Sequence, residues 1–355
     1  MSAAAASGSG AADGARVGVV GATGLVGTEM LRLLEARSFP VSELRAYASA
    51  RSVGRRLPFV GGHVTCEVLR AGCFDGLDLV VIDVDDPLAL EWAPPAAAAG
   101  ARVVDKSAAF RMEPDVPLVI AEINPDDLRD MPRGIVSSPN CTTTVPLLAL
   151  APLHRAAGIK RMVVSTYQSV SGSGQQGLHE LDEQWTKGAG QAERFLDAGA
   201  RGPLEPGSVW DRPIAGNVIP LAGSVKEGGY TSEEWKMVRE TRKILHAPDI
   251  QVSCTCVRVP VYVGHGVAVN VQFERPMSRA AAVELLASAP GVELVDGGDG
   301  APTPMEAAGI DPVLVGRVRD DPSQENTLDL WATGDNLRKG AALNGIQLLE
   351  LLLEG

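Results

Sequence analysis

RVGVVGATGLVG, residues 16–27, decides the fold, because an apolar run passes directly into glycines spaced G-x-x-G-x-x-G. We interpret residues 16–20 as a buried strand and the apolar residues within 30–34 as one face of the helix that follows. Glycines let a backbone approach a pyrophosphate closely, and the free N–H groups at a helix start attract its charge. The segment predicts the first βα unit of a dinucleotide-binding domain, with a tight strand-to-helix turn as the alternative.

The rest of the first half alternates between strands and helices. Apolar runs predict strands at 44–48, 77–83 and 102–105, and an Ala-rich stretch predicts a helix at 89–99. This alternation is typical of a Rossmann-type, doubly wound parallel sheet in an α/β fold.

The second half has a different pattern. Strands are expected at 161–168, 252–263 and 267–273, and helices at 233–245 and 336–353. The last two strands flank Gly264-His265-Gly266, so we expect a hairpin-like, mostly antiparallel α+β domain. The expected organisation is a disordered tail at 1–14, an NADP-binding domain at 15–140 completed by a C-terminal helix at 334–355, and a catalytic and dimerisation domain at 141–333.

Bulk composition excludes several classes of protein. The formal net charge is −12, whereas a nucleic-acid binder normally shows a basic footprint. We find no apolar run of about 18 residues, so no membrane span is expected. The five cysteines are an odd number in a long chain, and the C-x-C at Cys254 and Cys256 has no second pair, which disfavours both disulfides and a metal site. A cytoplasmic location is the resulting expectation.

Residues after the second predicted strand bear on the choice of cofactor. An NAD enzyme places an acidic residue there to bind the ribose 2′-hydroxyl, whereas this chain offers Ser49, Arg51 and Ser52. Hydroxyls and arginine suit a 2′-phosphate, so we predict NADP. A solvated basic loop without a ligand is the alternative reading.

Three residues are candidates for chemistry. Cys141 follows the polar loop 137–140 and begins a predicted helix, so its pKa is expected to be lowered by the helix dipole, unless it is a structural cysteine. Alternation along 254–263 predicts that four valines face the core and that Arg258 points the other way, where it needs an anionic partner. His265, between two glycines, is expected to be accessible and mobile enough to move protons.

Several motifs, in this order along the chain, resemble those of aspartate-semialdehyde dehydrogenases. They are KSAAFRM at 106–112, SPNCTTT at 138–144, TYQSVSGSG at 166–174, CVRVPV at 256–261, Gly264-His265, and GDNLRKGAALN at 334–344. The resemblance covers nearly the whole chain after the first residues. It implies an NADPH-dependent reductive dephosphorylation of L-aspartyl-4-phosphate through a cysteine thioester, in the biosynthesis of lysine, threonine and methionine.

The same resemblance assigns roles to individual residues. Cys141 is implied to be the nucleophile, His265 the general acid/base and Gln168 the group that orients the substrate. The implied substrate-binding residues are Arg111 and Lys236 for phosphate, Arg258 and Glu233 at the carboxylate end, and Asn140 beside the nucleophile. The expected cofactor contacts are Gly21, Thr23, Gly24, Leu25, Val26, Gly27, Ser49, Arg51, Ser52, Ser171, Gly172 and Asn336. Expected partners are the acyl phosphate or semialdehyde, inorganic phosphate and further copies of the chain in a homodimer or homotetramer.

One stretch departs from the family pattern. The family carries small residues where this chain has Asp83, Asp85 and Asp86, and it tends to have Asn where this chain has Lys106. Because free carboxylates repel a pyrophosphate, we hypothesise that Lys106 forms a compensating pair with Asp83 or Asp85. The alternative is that the aspartates face solvent and are unrelated to Lys106.

Two rival functions remain at this stage. An enzyme similar to N-acetyl-glutamyl-phosphate reductase would share the fold, the cysteine and the acyl-phosphate chemistry. A specialised or catalytically silent NADP-binding paralogue is the other, and the aspartates favour it, whereas Cys141, Gln168, Arg258 and His265 disfavour it.

Overall fold

The computed structural model describes residues 14–196, 204–295 and 300–354, which form two sheets with flanking helices. Apart from Gly14, the predicted tail at 1–14 lies outside the described residues. The strands of the first sheet are β1 (Ala15–Val20), β2 (Val41–Tyr47), β3 (Arg56–Phe59), β4 (Gly62–Glu67), β5 (Leu79–Ile82), β6 (Arg102–Asp105) and β7 (Ile135–Ser137). Those of the second sheet are β8 (Ile159–Gln168), β9 (Gln251–Arg258), β10 (His265–Phe273), β11 (Val292–Val295), β12 (Val313–Asp320) and β13 (Thr327–Gly334).

Helices connect and cover these strands. Within the described residues they are α1 (Leu25–Ala36), α2 (Asp86–Ala98), α3 (Cys141–Ala157), α4 (Gly174–Gly188), α5 (Ala192–Leu196), α6 (Ser232–Ile244), α7 (Arg279–Ala287), α8 (Pro304–Ala307) and α9 (Leu343–Glu354). The predicted helix at 336–353 begins later, with a π-helical turn at Arg338–Ala342 that leads into α9. None of the helices in the part of the chain that the structure describes is long and apolar enough to cross a membrane.

The first sheet confirms the predicted fold class. Its strand order is β3-β4-β2-β1-β5-β6-β7, and every pair is parallel except the β3–β4 edge pair. Chain order reverses at β1, and such a switch point opens a crevice beyond the carboxyl ends of the strands. Strands β5 and β6 are neighbours, so the segments that follow them, at 83 and 106, meet at this crevice.

The second sheet corrects the predicted hairpin. Its order is β11-β12-β13-β10-β8-β9, so β8 lies between β9 and β10, parallel to the first and antiparallel to the second. Strand β9 also ends at Arg258, not at residue 263. The backbone of Arg258 pairs with Ile219, and Pro260 has no N–H with which to extend a ladder.

The orientation predicted for β9 is likewise wrong. Cys254 and Cys256 point into the core of the second sheet, and Arg258 is buried on the same face. Val257, on the opposite face, is only partly buried. Alternation identified the two faces, but the face that carries the arginine is the interior one.

Two helices bring the sheets together around the site. Helix α3 packs against the second sheet, with Val145 and Leu148 in the same core as Val267. Helix α9 packs against α1 and the first sheet, where Ile346 and Leu349 join its core. The start of α3 and the turn before α9 therefore face each other across the junction between the two sheets.

The glycine loop adopts a conformation that only glycine satisfies. Gly21 has φ +87°, and a Cβ there would lie 2.1 Å from the carbonyl oxygen of Asp83. At Gly27 a Cβ would lie 2.3 Å from the carbonyl oxygen of Gly21. Because a side chain fits at neither position, the loop holds the start of α1 against the ends of β1 and β5.

Candidate active site

Cys141 is the first residue of α3. Asn140 caps this helix, since its Oδ1 accepts a hydrogen bond from the Thr142 N–H at 2.9 Å. Burial, with the charge of Glu233 second, raises the pKa of Cys141 to about 11. The prediction of a lowered pKa is wrong, because desolvation of the thiolate outweighs the helix dipole and nearby cations. The resting side chain is a neutral thiol that needs a proton acceptor.

His265 lies next to this thiol, with its Nε2 3.2 Å from Cys141 Sγ. It is fully buried, so the prediction of an accessible, mobile histidine is wrong. Its two glycine neighbours serve packing: a Cβ on Gly266 would lie 2.3 Å from the Trp331 ring, and one on Gly264 would lie 2.5 Å from the carbonyl oxygen of Pro304. Burial, followed by the charge of Arg258, lowers the pKa of His265 to about 3.

Ser169 can support either neutral tautomer of this histidine. Its backbone N–H donates to His265 Nδ1 at 3.1 Å. A backbone N–H can only donate, so a neutral ring in this arrangement carries its proton on Nε2, facing the sulfur. Ser169 Oγ lies equally close to Nδ1, at 3.1 Å, and can accept from it in the other tautomer. Nε2 is free to take a proton from the thiol only in that second tautomer.

Asn336 holds this network together. Its Oδ1 accepts from the Gly264 N–H at 2.9 Å and from Ser169 Oγ at 2.9 Å, and its Nδ2 donates to Ser171 Oγ at 3.0 Å. It is 2% exposed and also lines the large cleft described below. This residue, predicted to contact the cofactor, thus also fixes the segments on both sides of His265.

Gln168 and Arg258 lie side by side at the carboxyl ends of β8 and β9, where they are register partners. Gln168 is 1% exposed, and its Oε1 accepts from Thr166 Oγ1 at 3.1 Å. Arg258 donates from Nη1 to the carbonyl oxygen of Ser169 at 2.7 Å, while its Nε is buried without a partner. A buried guanidinium with an unused N–H is prepared to bind an anion.

Glu233 connects the cations to the nucleophile segment. Its Oε1 accepts from Lys236 Nζ at 2.6 Å, and its Oε2 accepts from Asn140 Nδ2 at 3.1 Å. Burial opposes ionisation of Glu233, but Lys236 and then Arg258 and Arg111 outweigh it and lower the pKa. A carboxylate is thus maintained among three cations.

Arg111 lies on the other side of the nucleophile segment. Its Nη1 donates to Glu240 Oε1 at 2.9 Å and its Nη2 to the carbonyl oxygen of Lys106 at 2.6 Å, while Nε is buried without a partner. Glu240 also accepts from the Asn140 N–H at 2.8 Å. The geometry leaves the Nε–H of Arg111 without a protein acceptor, and Glu240 ties the guanidinium to the residue before Cys141.

A cleft of about 860 Å³ runs from the glycine loop to Cys141. Of the predicted cofactor residues, those that line it are Thr23, Gly24, Leu25, Val26, Ser171, Gly172 and Asn336. Gly21 and Gly27 shape the turn beneath it. Ser49, Arg51 and Ser52 lie at a short helical turn outside the lining, and the arginines that do line the cleft are Arg32, Arg55 and Arg111.

This cleft fits a dinucleotide. Helix α1 has no acidic residue in its first turn, and no side chain caps its free N–H groups. Gly24 precedes it, so the backbone is open to an approaching pyrophosphate. A phosphate oxygen can occupy the space at the start of α1 that a Cβ on residue 24 or a capping side chain would otherwise fill.

The acidic stretch divides into exposed and cleft-lining residues. Asp85 and Asp86 are exposed, whereas Asp83 lines the cleft together with Lys106. Lys106 Nζ donates to Ser138 Oγ at 3.0 Å, and no direct ion pair joins it to Asp83 within the described residues. Burial lowers the pKa of Lys106 to about 8, and burial raises that of Asp83, while their opposite charges counteract both shifts.

Three structural contributors were not identified from the sequence. Ser169 lay inside a quoted motif without a role. Glu240 is seven residues from Glu233 on α6, so a helical wheel would have placed both carboxylates on one face. Gly340 gave no local signal: a Cβ there would lie 2.8 Å from Cys141 Cβ, so the π-helical turn can approach the nucleophile only with glycine.

Comparison with known proteins gives one consistent result. Residues 16–131 match the family model described as semialdehyde dehydrogenase, NAD binding domain, and residues 150–339 match the one described as semialdehyde dehydrogenase, dimerisation domain. The chain is similar to the aspartate-semialdehyde dehydrogenase of Streptomyces akiyoshiensis, at 48% identity over 95% of this chain and 98% of the relative. For the enzyme of a Synechocystis strain the identity is 44%, over 96% and 97%.

Solved structures agree with the sequence relatives. Aspartate semialdehyde dehydrogenase II of Vibrio cholerae superposes with a TM-score of 0.90 at 40% identity, over 96% of this chain and 99% of that one. The same enzyme complexed with ASA gives a TM-score of 0.89.

Proposed function

This chain belongs to the aspartate-semialdehyde dehydrogenase family, and from that premise we propose that it catalyses the NADPH-dependent reductive dephosphorylation of L-aspartyl-4-phosphate to L-aspartate 4-semialdehyde. The observation that carries this proposal is the 3.2 Å contact between His265 Nε2 and the Sγ of Cys141, a residue that lines a cleft reaching the glycine loop. A nucleophile and a dinucleotide cradle then face the same volume, with the proton partner of the nucleophile buried directly beside it.

Two anchors with unused donors suit a substrate that is anionic at both ends. Arg258, with its unpartnered Nε, is proposed to bind the α-carboxylate, and Glu233 the free amino group beside it. Arg111 and Lys236 are proposed to bind the phosphate, and Gln168 and Asn140 to hold the reacting carbonyl. A free-amine substrate gives Glu233 a partner, which favours the aspartyl substrate over an N-acetylated glutamyl phosphate.

Covalent catalysis then proceeds through formation, reduction and breakdown of a thioester intermediate. With the ring proton of His265 on Nδ1, where Ser169 Oγ accepts it, Cys141 transfers its proton to Nε2. The Sγ–C bond forms as the C–O bond to phosphate breaks, and the departing phosphate takes a proton from solvent. NADPH supplies the hydride that reduces the resulting thioester. His265 protonates the oxyanion, then removes that proton as the C–S bond breaks, and finally returns it to the thiolate.

Proton transfer from Cys141 to His265 is expected to depend on bound substrate. In the free protein the pKa of about 11 for Cys141 and about 3 for His265 both favour the neutral pair. Burial first, and then the charge of Arg258, lower the pKa of His265, and a bound carboxylate would offset the second of these causes. Substrate binding therefore makes the histidine a better base at the moment a thiolate is needed.

NADP is proposed as the form of the cofactor. Arg32 and Arg55 line the glycine-loop end of the cleft and suit a 2′-phosphate, with Ser49, Arg51 and Ser52 nearby on the segment that leads to Arg55. We propose residues 15–140 with 334–355 as the NADP-binding domain and 141–333 as the catalytic domain, which also forms a homodimer or homotetramer. A cytoplasmic location is proposed because Cys141 must stay reduced.

A direct assay tests the proposal. L-Aspartate 4-semialdehyde, NADP and inorganic phosphate should together give NADPH, and omitting phosphate should abolish the signal. N-Acetylglutamate semialdehyde and NAD serve as the competing substrate and cofactor. Faster turnover of the acetylated substrate would indicate an N-acetyl-glutamyl-phosphate reductase activity instead. A failure to trap a thioester on Cys141 would indicate a catalytically silent paralogue.

A further inference from the structure

A second cavity opens on the far side of Arg111 from the dinucleotide cleft. This cavity, here called the basic pocket, has a volume of about 390 Å³ and is lined in part by Arg111, Lys226, Lys236 and Arg239. Arg111 lines the large cleft as well, so its side chain forms the wall between the two volumes. The basic pocket therefore borders the proposed phosphate end of the site, since Arg111 and Lys236 both line it.

The charge of this pocket is opposite to that of the whole chain. Four cationic residues line it against two acidic ones, Glu227 and Glu240, in a protein whose formal net charge is −12. The inner cations are already engaged, Lys236 with Glu233 and Arg111 with Glu240. A local excess of positive charge in an acidic protein concentrates anions at that point of its surface.

The outer cations are free to act on a ligand. Lys226 and Arg239 are exposed, and neither forms an ion pair within the described residues. The guanidinium of Arg239 lies 5.0 Å from the centre of the Trp235 ring, which holds it over the pocket. Inside, the unpartnered Nε of Arg111 is the one buried donor of that side chain without an acceptor.

Reaction chemistry requires a passage for phosphate. In the proposed reaction, phosphate must leave after the thioester forms, while the nicotinamide nucleotide still occupies the large cleft. We propose that the basic pocket is an anion subsite through which inorganic phosphate leaves and, in the reverse direction, enters. This inference rests on the proposed function and adds Lys226 and Arg239 as residues that govern phosphate exchange.

Kinetics in the oxidative direction test the role in exchange. Lys226→Met with Arg239→Met should lower kcat/KM for inorganic phosphate about tenfold and flatten its dependence on ionic strength. The KM for L-aspartate 4-semialdehyde and the Kd for NADP should change less than twofold. A matched control is Arg70→Met with Lys160→Met, which removes two exposed charges far from the pocket in sequence. Equal phosphate kinetics in the two double variants would overturn the inference.

A binding measurement keeps the test independent of turnover. Trp235 lines the pocket, so inorganic phosphate should change the intrinsic fluorescence in a saturable way, and Trp235→Phe should lose that change. Lys226→Met alone leaves the Arg239–Trp235 contact intact and should shift the titration to higher phosphate. If the wild type shows no phosphate-dependent turnover, the proposed function fails, but the titration still tests whether the basic pocket binds phosphate. A fluorescence response that is absent, or that Lys226→Met leaves unshifted, would contradict phosphate binding in the pocket.

Discussion

The two walls of the large cleft are built in different ways. The cofactor wall comes mainly from one continuous segment, in which Gly21 and Gly27 shape the turn and Gly24 exposes backbone groups at the start of α1. The catalytic wall comes from side chains on five separate segments: Cys141 lines the cleft, and Gln168, Glu233, Arg258 and His265 lie in the cluster around it. Ligand binding at a wall of backbone groups depends on steric fit. The function of a wall of buried polar and charged side chains depends on each side chain keeping its partner. Damage to one should therefore leave the function of the other measurable.

The largest effect is expected on the catalytic wall. Cys141→Ser should reduce turnover by at least about 1,000-fold, because a hydroxyl is a far weaker nucleophile than a thiolate and its proton is harder to remove. The Kd for NADPH, measured by fluorescence, should stay within about twofold of wild type. If NADPH binding is lost together with activity, the two walls are not separable and Cys141 is a structural residue.

Arg258→Leu should come next. Leaving the substrate carboxylate unpaired in a desolvated site costs on the order of 3 kcal/mol, which is more than 100-fold in kcat/KM for the semialdehyde. Arg161→Leu, on the exposed start of β8, is the control for loss of a charge elsewhere on the second sheet. A near-normal kcat/KM in Arg258→Leu would show that Arg258 does not bind the substrate.

A substitution in the cofactor wall should give the reverse pattern. In Gly27→Ala the new Cβ meets the Gly21 carbonyl oxygen, so the loop must shift and NADPH should bind roughly tenfold more weakly. Alkylation of Cys141 by iodoacetamide should proceed at the wild-type rate. Gly62→Ala, where the nearest atom is 3.7 Å away, is the matched control and should change neither quantity.

The smallest effect concerns Lys106, where the two walls meet. With a pKa of about 8, below its usual value, Lys106 is charged below that pH and neutral above it. NADPH should then bind a few-fold more weakly as pH rises through about 8, because Asp83 loses its compensating charge. Lys106→Met should remove this pH step and weaken binding at pH 7.

Asp83→Asn in the Lys106→Met background sharpens the test. If the pair compensates, the second change restores much of the lost affinity, as a double-mutant cycle would report. Strictly additive effects on NADPH affinity would contradict the pairing hypothesis and leave Lys106 with its contact to Ser138 alone.

The success of the sequence predictions follows the same division. The glycine loop, the parallel sheet of the first half and the helix that begins at Cys141 were predicted correctly, because each prediction rests on patterns a few residues long. The prediction of a hairpin between β9 and β10 was wrong, since no feature of the local sequence indicates that β8 inserts between them. Which face of β9 is buried was wrong for the same reason.

The ionisation of the site could not be predicted either. A cysteine at a helix start and a histidine between glycines both indicated groups that titrate near neutral pH. Their pKa values of about 11 and about 3 come from burial, which strands and loops far apart in sequence impose together.

The sequence by itself determined the Rossmann-type sheet, the family and the helix that begins at Cys141. These depend on short-range patterns, in which glycine sterics and apolar periodicity act within a few residues. Only the tertiary structure decided that His265 is sealed against Cys141 by Asn336 and Ser169, and that Gly340 is the residue the nucleophile packs against. Those contacts join segments about 100 to 200 residues apart, and burial and electrostatics act through space, where linear spacing carries no information.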